Sequence, residues 1–154
     1  MSTHQPNVLL IDVTEHNWRD VAGISAYPEQ SQFVASTAYY LCLATYGGDW
    51  QSLAIELNGV VVGHVMWARD AEDNSVWLGG LVVDASHQGA GVGRAAVEAF
   101  IDRFSQDGHT NIALSYSMGN TRAAALYAKV GFVLTGEVEG DEVVARLQVG
   151  SDET

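Results

Sequence analysis

The segment from residue 88 to residue 94 contains three glycines in five residues, Gly89, Gly91 and Gly93. An apolar stretch ending at Val83 precedes it and a stretch with helical periodicity follows, so we predict a loop between a strand and a helix. Glycine is unfavourable at an ordinary helix start, and such a run is expected where the backbone must approach a ligand closely. Free N–H groups and the positive end of the helix dipole then converge on one point. The segment therefore predicts a phosphate-binding loop.

Two well-known kinds of phosphate-binding loop do not fit this segment. The P-loop requires a Lys-Ser or Lys-Thr pair, and the chain has none. The dinucleotide-binding fingerprint matches in letters at Gly91, Gly93 and Ala96. However, residues 84–90 separate it from the strand, and no acidic residue stands at 115–117, where one is required. The spacing that remains is Gln88-x-x-Gly91-x-Gly93, with a glycine-rich turn that binds nothing as the alternative.

Length and composition predict one globular domain. The chain has 154 residues, 47% of them hydrophobic, and we expect a single domain over 1–154 with flexible ends at 1–7 and 150–154. No apolar run reaches the roughly 18 residues of a membrane span, and the first seven residues lack the basic region of a signal peptide. Cys42 is the single cysteine, so we expect no intrachain disulfide and a cytoplasmic location.

The net charge of the chain indicates which kinds of partner it can bind. The formal net charge is −12, from seven Lys and Arg against nineteen Asp and Glu. A phosphate backbone needs a basic face, so nucleic acid is excluded as an expected partner. A cationic small molecule is favoured instead. The alternative is that the acidity only keeps the protein in solution.

The hydrophobic pattern predicts a mixed α/β domain around one twisted sheet. Strands are predicted over residues 8–13, 52–57, 60–68, 76–83, 111–115, 132–137 and 142–149. Helices are predicted over 15–21, 32–46, 91–106 and 121–130. Ser31 and Asn120 are the expected N-caps of the second and fourth helices, and Cys42 is expected to be buried in the second. Asn58-Gly59 predicts a tight hairpin, and Gly79-Gly80 predicts a bulge or a ligand lying against the strand.

A second motif lies on the last predicted helix and reads Asn120-x-x-Ala123-x-x-Leu126-Tyr127-x-Lys129-x-Gly131-Phe132. Its apolar residues share one helix face, and a tyrosine beside such a face is ordinarily a packing residue. Together with the glycine loop, however, the motif resembles the GNAT superfamily of N-acetyltransferases, in which that loop holds the pyrophosphate of coenzyme A. The resemblance implies one central, twisted, mostly antiparallel sheet of about seven strands with about four helices. It also implies acetyl-CoA as cosubstrate.

Three further stretches resemble the bacterial spermine/spermidine acetyltransferase-like branch of the family. They are Gln30-x-x-Phe33-Val34-Ala35-Ser36, then Ile112-x-Leu114-Ser115-Tyr116 followed by Asn120, and Thr135-Gly136-Glu137 with Glu142-Val143-Val144. The resemblance covers nearly the whole chain and departs at Thr37, where that branch more often has asparagine. It implies acetyl transfer to a primary amine of a small polycation, with a polyamine first and an aminoglycoside as the near alternative.

The resemblance also implies roles for individual residues. Backbone groups of Leu81, Val82 and Val83 contact the pantetheine arm and polarise the thioester carbonyl. The residues that cradle the pyrophosphate are Gln88, Gly89, Ala90, Gly91, Val92, Gly93 and Arg94. Asn120 contacts the cosubstrate, with a plain helix cap as the alternative. Tyr127 donates a proton to the departing thiolate, because a phenol with a pKa of about 10 stays protonated at neutral pH.

The general base and the substrate site stay open on sequence alone. Many family members carry a glutamate on the strand before the glycine loop, and here that strand has no carboxylate. The remaining candidate bases are Glu29, Glu72, Glu137, Glu142 and His64, or a chain of waters. The acidic residues considered for binding a cationic substrate are Glu29, Asp49 and those in the stretch from Glu137 to Glu142. No histidine has metal-ligand spacing to another ligand, so we predict no metal.

Two other functions are compatible with the same motifs. The missing strand glutamate favours a non-catalytic acetyl-CoA-binding module, whereas the presence of Tyr127 favours an enzyme. Acetylation of a protein or peptide amine leaves no clear mark in a sequence and ranks lower on charge. A homodimer is expected only by analogy with the family.

Overall fold

The computed structural model describes residues 6–26, 28–30 and 35–150, except for the side chain of Glu29. The strands are β1 (Val8–Asp12), β2 (Gln51–Leu57), β3 (Val60–Arg69), β4 (Val76–Val83), β5 (Asn111–Ser117), β6 (Val133–Glu139) and β7 (Glu142–Gln148). The α-helices are α1 (Trp18–Ala22), α2 (Thr37–Tyr46), α3 (Val92–Gln106) and α4 (Thr121–Val130). The predicted element order and the mixed α/β class are therefore confirmed.

All the strands belong to one sheet with the order β1-β2-β3-β4-β5-β7-β6. Every neighbouring pair is antiparallel except β4 and β5, which run parallel. Those two strands share only the pairs Val76↔Ile112 and Trp77↔Ala113. Beyond Trp77 they pair no further, although both continue for several residues, so the sheet opens between them.

The core lies between the sheet and α3. Val97, Phe100 and Phe104 of α3 are buried together with Ile112 and Leu114 of β5. These α3 positions lie three or four residues apart and so share one face of the helix. α4 adds Tyr127 to the same cluster. α1 and α2 contact the middle of the sheet, at β2 and β3.

α2 differs from its prediction at its start and in its burial. Ser31, the expected cap, lies outside the described residues. The helix begins at Thr37, and the Ser36 hydroxyl accepts a hydrogen bond from the Tyr39 N–H at 3.1 Å. The expected burial of Cys42 is wrong, because the residue is exposed. The helix carries apolar residues on all of its faces. Because only one face packs against the sheet, apolar residues on the other faces, such as Tyr46, are exposed to solvent.

The predicted irregularity at Gly79-Gly80 is a bulge in β4. The pairing register with β3 shifts between His64 and Met66. Gly80 has φ 56°, a backbone conformation that residues other than glycine adopt only with strain. A Cβ at Gly79 would lie 2.9 Å from two ring carbons of Trp50. The glycine pair therefore lets an aromatic ring lie directly against the strand.

His64 stabilises this bulge through a hydrogen bond to Gly80. Its ring is fully buried, and Nδ1 lies 2.7 Å from the Gly80 carbonyl oxygen. A carbonyl only accepts, so Nδ1 carries the proton and donates it to Gly80. The Ser52 hydroxyl then donates to Nε2 at 2.8 Å. The ring also stacks on Tyr40, with 5.6 Å between centroids. Burial lowers the pKa of His64 to about 4, which keeps the imidazole neutral.

Acidification is expected to destabilise the protein through His64. Its pKa is about 4 when folded against 6.5 for the unperturbed group, so between these values the unfolded chain binds a proton that the folded chain does not. The free energy of unfolding should fall by about 2–3 kcal/mol between pH 7 and pH 4.5 from this residue. Urea unfolding of the wild type and His64→Asn at both pH values measures the difference.

The variant His16→Asn, at an exposed histidine, is the matched control and should follow the wild type. Equal losses of stability on acidification in His64→Asn and the wild type would contradict the neutral, buried state of His64.

Candidate active site

A cleft of about 1150 Å³ occupies the opening between β4 and β5. It gathers residues from the end of β4, the glycine loop, β5, α4 and the start of β7. The predicted site residues that line it are Leu81, Val82, Val83, Gln88, Gly89, Gly91, Gly93, Arg94, Asn120, Tyr127 and Glu142. Ala90 is exposed outside the lining, and the side chain of Val92 is buried in the core. The fold thus brings residues that are up to 61 positions apart to one place.

The glycine loop presents free backbone N–H groups at the start of α3. Gly91 occupies the N-cap in a left-handed conformation, with φ 84°. Within the described chain, the N–H of Gln88 bonds to the Ala85 carbonyl at 3.4 Å, and none of those from Gly89 to Arg94 makes a hydrogen bond. These unpaired donors stand at the positive end of a helix of 15 residues. The arrangement is suited to binding an anion such as a diphosphate.

The side chain of Gln88 has a structural role that the sequence did not indicate. Its amide group forms reciprocal hydrogen bonds with Gln30, at 3.0 and 2.9 Å, and its Nε2 donates to the Val83 carbonyl at 2.8 Å. Gln88 therefore ties the glycine loop to the end of β4 and to the segment before α2. Gln30 lies 58 residues away in sequence, so no spacing pattern could have paired the two.

Asn120 and two arginines complete the side of the cleft next to the glycine loop. The Asn120 Oδ1 accepts a hydrogen bond from the Ala123 N–H at 3.1 Å, which confirms the predicted cap of α4. Arg94 and Arg122 are the cations among the cleft-lining residues, and Arg94 also pairs with Glu98 at 3.1 Å. Both arginines are close to the N-termini of helices, so positive charge is concentrated at this end of the cleft.

Tyr127 reaches the cleft from α4 with its ring in the core. Its ring packs against Tyr116 and Phe132, each at a centroid distance of 5.8 Å. Its hydroxyl has no hydrogen-bond partner in the part of the chain that the structure describes. Burial, then the charges of Tyr40, Tyr116 and Glu142, raises the pKa of Tyr127 above its ordinary value. The hydroxyl therefore stays protonated and free to donate at neutral pH.

The other side of the cleft is acidic and aromatic. Its carboxylates are Asp70, Glu139 and Glu142, and its rings include Tyr40, Trp50 and Trp77. Sequence reasoning selected Glu142 and the acidic stretch that contains Glu139, but it missed the other four. The glycine pair in β4 was a signal that something lies against the strand, yet the sequence did not reveal that this is the Trp50 ring.

Several predicted residues lie elsewhere. The side chain of Glu29 lies outside the described part of the structure. The fold does not bring Asp49 to the cleft, because it borders a separate pocket of about 470 Å³. Glu137 is exposed on β6, where Arg146 binds it at 2.9 and 3.2 Å and lowers its pKa. Glu72 is exposed in the turn before β4, and His64 lies behind the bulge.

Two other kinds of site are absent from the described part of the chain. No cluster of three or more His, Cys, Asp or Glu side chains could hold a metal ion. No described helix is both long enough and apolar enough to span a membrane.

The family model for the Acetyltransferase (GNAT) family matches residues 12–132. The chain belongs to the GNAT family. It is an acetyl-CoA-dependent N-acetyltransferase, and the resemblance of its glycine loop and α4 motif to that family is confirmed. Among curated proteins, two relatives from Bacillus subtilis are each 25% identical over 143 residues, which is 87% of this chain and 94% of theirs. They are named a spermine/spermidine N(1)-acetyltransferase (strain 168) and a probable spermine N(1)-acetyltransferase (subsp. natto, strain BEST195).

Solved structures share the GNAT fold at lower identity. An aminoglycoside acetyltransferase in complex with coenzyme A is 21% identical, with a TM-score of 0.75 over 92% of this chain and 94% of that one. A ribosomal alpha-N-protein acetyltransferase in complex with coenzyme A is 15% identical, with a TM-score of 0.74 over 95% and 96%. The likeness confirms the fold and extends over nearly the whole of each chain.

Two alanine substitutions in the glycine loop separate folding from acetyl-CoA binding. At Gly93 a Cβ would meet Leu126 and Val83 only at 3.8 and 3.9 Å, so Gly93→Ala should fold normally and gain helix propensity. Its methyl group, however, would project between two cleft-lining side chains. We expect acetyl-CoA to bind about tenfold more weakly, a loss of about 1.4 kcal/mol.

Gly91→Ala is the comparison, because its left-handed conformation costs an alanine about 1–2 kcal/mol. Thermal unfolding and isothermal titration with acetyl-CoA measure both properties. Unchanged affinity in Gly93→Ala would contradict the placement of acetyl-CoA along this loop.

Proposed function

We propose that this GNAT enzyme acetylates a primary amine of a small polycation, and that a polyamine of the spermidine or spermine type is its first substrate. The observation that carries this proposal is the division of the cleft. The glycine loop and the first turns of α3 and α4 supply free N–H groups and both arginines. The strands, with the turn before β4 and the β6–β7 hairpin, supply Asp70, Glu139 and Glu142 beside three aromatic rings. An anion suits the first set of groups and a cation suits the second.

The acidic side has the chemistry that a flexible polyamine requires. Carboxylates bind ammonium groups through charge-assisted hydrogen bonds. The rings of Tyr40, Trp50 and Trp77 offer apolar surface to the methylene segments and cation–π contacts to the charged nitrogens. A net charge of −12 also attracts a polycation from solution. The names of the two curated relatives from Bacillus subtilis support the same class of amine.

The proposed mechanism is direct transfer within a ternary complex. The free N–H groups from Gly89 to Arg94 bind the pyrophosphate of acetyl-CoA, and Asn120 contributes its remaining amide donor. The edge of β4 at Leu81, Val82 and Val83 faces the opening with its backbone groups. There it orients the pantetheine arm and polarises the thioester carbonyl. Tyr127 donates the proton of its hydroxyl to the thiolate as it leaves.

An aminoglycoside is the second candidate. It presents amines on a rigid, bulky scaffold, and the cleft of about 1150 Å³ has room for such a ligand beside acetyl-CoA. The shared fold of the aminoglycoside acetyltransferase is compatible with this substrate but does not favour it over a polyamine.

A panel of amines tests the substrate class. We expect CoA release, detected with a thiol reagent, to be fastest with spermidine and spermine, slower with an aminoglycoside, and at background with no amine. A peptide with a free N-terminus should be a poor acceptor, because its carboxylates meet the acidic side of the cleft. Preference for the peptide, or no release with any amine, would overturn the proposal.

Tyr127→Phe tests the general acid. The substitution removes only the hydroxyl and keeps the ring contacts with Tyr116 and Phe132, so the fold should be unchanged. We expect kcat with spermidine to fall by about 10²-fold or more, while the dissociation constant for acetyl-CoA stays within about twofold. Tyr116→Phe is the matched control and should retain most activity. Equal activity of Tyr127→Phe and the wild type would exclude Tyr127 as the acid.

A further inference from the structure

The three carboxylates on the acidic side of the cleft have different surroundings. Glu139 is exposed, and Asp70 accepts a hydrogen bond from the Glu72 N–H at 2.9 Å within its own surface turn. Glu142 is half-buried at the start of β7, and its Oε1 accepts a hydrogen bond from the Ser115 hydroxyl at 2.8 Å. Glu142 is thus held in one orientation, with its second oxygen unpaired within the described chain.

Glu142 lies on the face of the sheet opposite the ring of Tyr127. Leu114 belongs to the core with Tyr127, and successive residues of a strand point to opposite faces, so Ser115 and its partner Glu142 point the other way. The opening between β4 and β5 connects the two faces, and both residues line it. The Glu142 charge also contributes to the raised pKa values of Tyr127 and Tyr40, so it is close to both.

No cation in the described chain neutralises Glu142. Arg146 lies four residues further along β7, on the same face, but its guanidinium binds Glu137 at 2.9 Å and Asp73 at 3.3 Å. The two arginines of the cleft lie on α3 and α4, and within the described chain neither forms an ion pair with Glu142. The remaining charged or titratable groups of the lining are Asp70, Glu139, Arg94, Arg122, Tyr40, Tyr116 and Tyr127. The carboxylate of Glu142 is therefore available to a cationic ligand.

We propose that Glu142, oriented by Ser115, binds the reacting ammonium group of the acceptor and takes up its proton. Glu142 thereby performs the task for which β4 has no carboxylate. This inference rests on the proposed function, because it requires an amine acceptor at the acidic side of the cleft.

The ammonium nitrogen gives one proton to Glu142, which passes it to solvent, and the neutral nitrogen forms the new C–N bond at the thioester carbonyl. The C–S bond breaks, and the thiolate takes the proton of Tyr127. The nitrogen loses its second proton, which restores the phenol through solvent. One acetamide, one CoA thiol and one released proton result.

Glu142→Gln is the decisive variant, because the glutamine keeps an oxygen that can accept from Ser115. With spermidine at pH 7, we expect kcat/KM to fall by about 10²–10³-fold. Only amine that is already neutral can react in the variant, so log kcat/KM should rise by about one per pH unit between pH 7 and 9. The wild type should show a much flatter profile. Glu72→Gln removes the same charge outside the cleft and should match the wild type.

Ser115→Ala tests the positioning role. It should lower kcat/KM by about fivefold and keep the flat pH profile of the wild type, because Glu142 is still present but less well oriented. Titration with acetyl-CoA and thermal unfolding of each variant show whether the cosubstrate site and the fold are intact. We expect both properties to be unchanged in Glu142→Gln.

Three results would overturn the role of Glu142 while leaving the proposed function standing. They are a loss no larger than that of Glu72→Gln, a pH profile parallel to that of the wild type, and a matching loss of acetyl-CoA affinity. A wild-type enzyme that acetylates no amine would instead contradict the proposed function itself.

Discussion

The separation of β4 from β5 is the constraint on which the rest of this structure depends. A parallel pair that continued beyond Trp77 would close the sheet, and the cleft would not exist. Leaving the inner edge of β4 without a strand partner exposes backbone donors and acceptors, which a protein tolerates only where water or a ligand can satisfy them. Two side chains stabilise the strand in this position. His64 donates to the Gly80 carbonyl from behind, and Gln88 donates to the Val83 carbonyl at its end.

The cleft is also divided electrostatically, and the division follows from the topology. α3 follows β4 and α4 follows β5, so the unpaired N–H groups at the start of α3, with Arg94 and Arg122, make this part of the cleft favourable for phosphate. The turn before β4 and the hairpin of β6 and β7 bring carboxylates to the other side. Arg146 would weaken that acidic side, but Glu137 and Asp73 hold its guanidinium away from Glu142. A chain with a strongly negative net charge thus has a local region of positive charge that suits the proposed site of an anionic cosubstrate.

The aromatic rings at the cleft show how small residues in a strand can serve a binding surface. Gly79 has no side chain because the Trp50 ring occupies the space where a Cβ would stand, and Gly80 similarly admits Tyr40 and His64. Trp50 lies two residues after Gly48, in the segment that joins α2 to β2. Neighbouring Asp49 points instead to a different pocket.

The homodimer expected from the family stays a prediction.

The sequence by itself determined the elements and predicted the proposed acetyl-CoA end of the site, because the signals there are local. Three glycines before a helix, an asparagine cap and the spacing to Tyr127 are properties of short segments, and the element order and family followed from them. Only the tertiary structure showed which residues form the proposed acceptor side. Trp50, Asp70, Trp77 and Glu142 come from four separate elements, and no periodicity links them. Glu137 and Asp49 were equally acidic in the sequence, but an arginine and a turn direct them elsewhere. The physical reason is that a side chain's partners depend on the register between distant strands, which a local pattern does not contain.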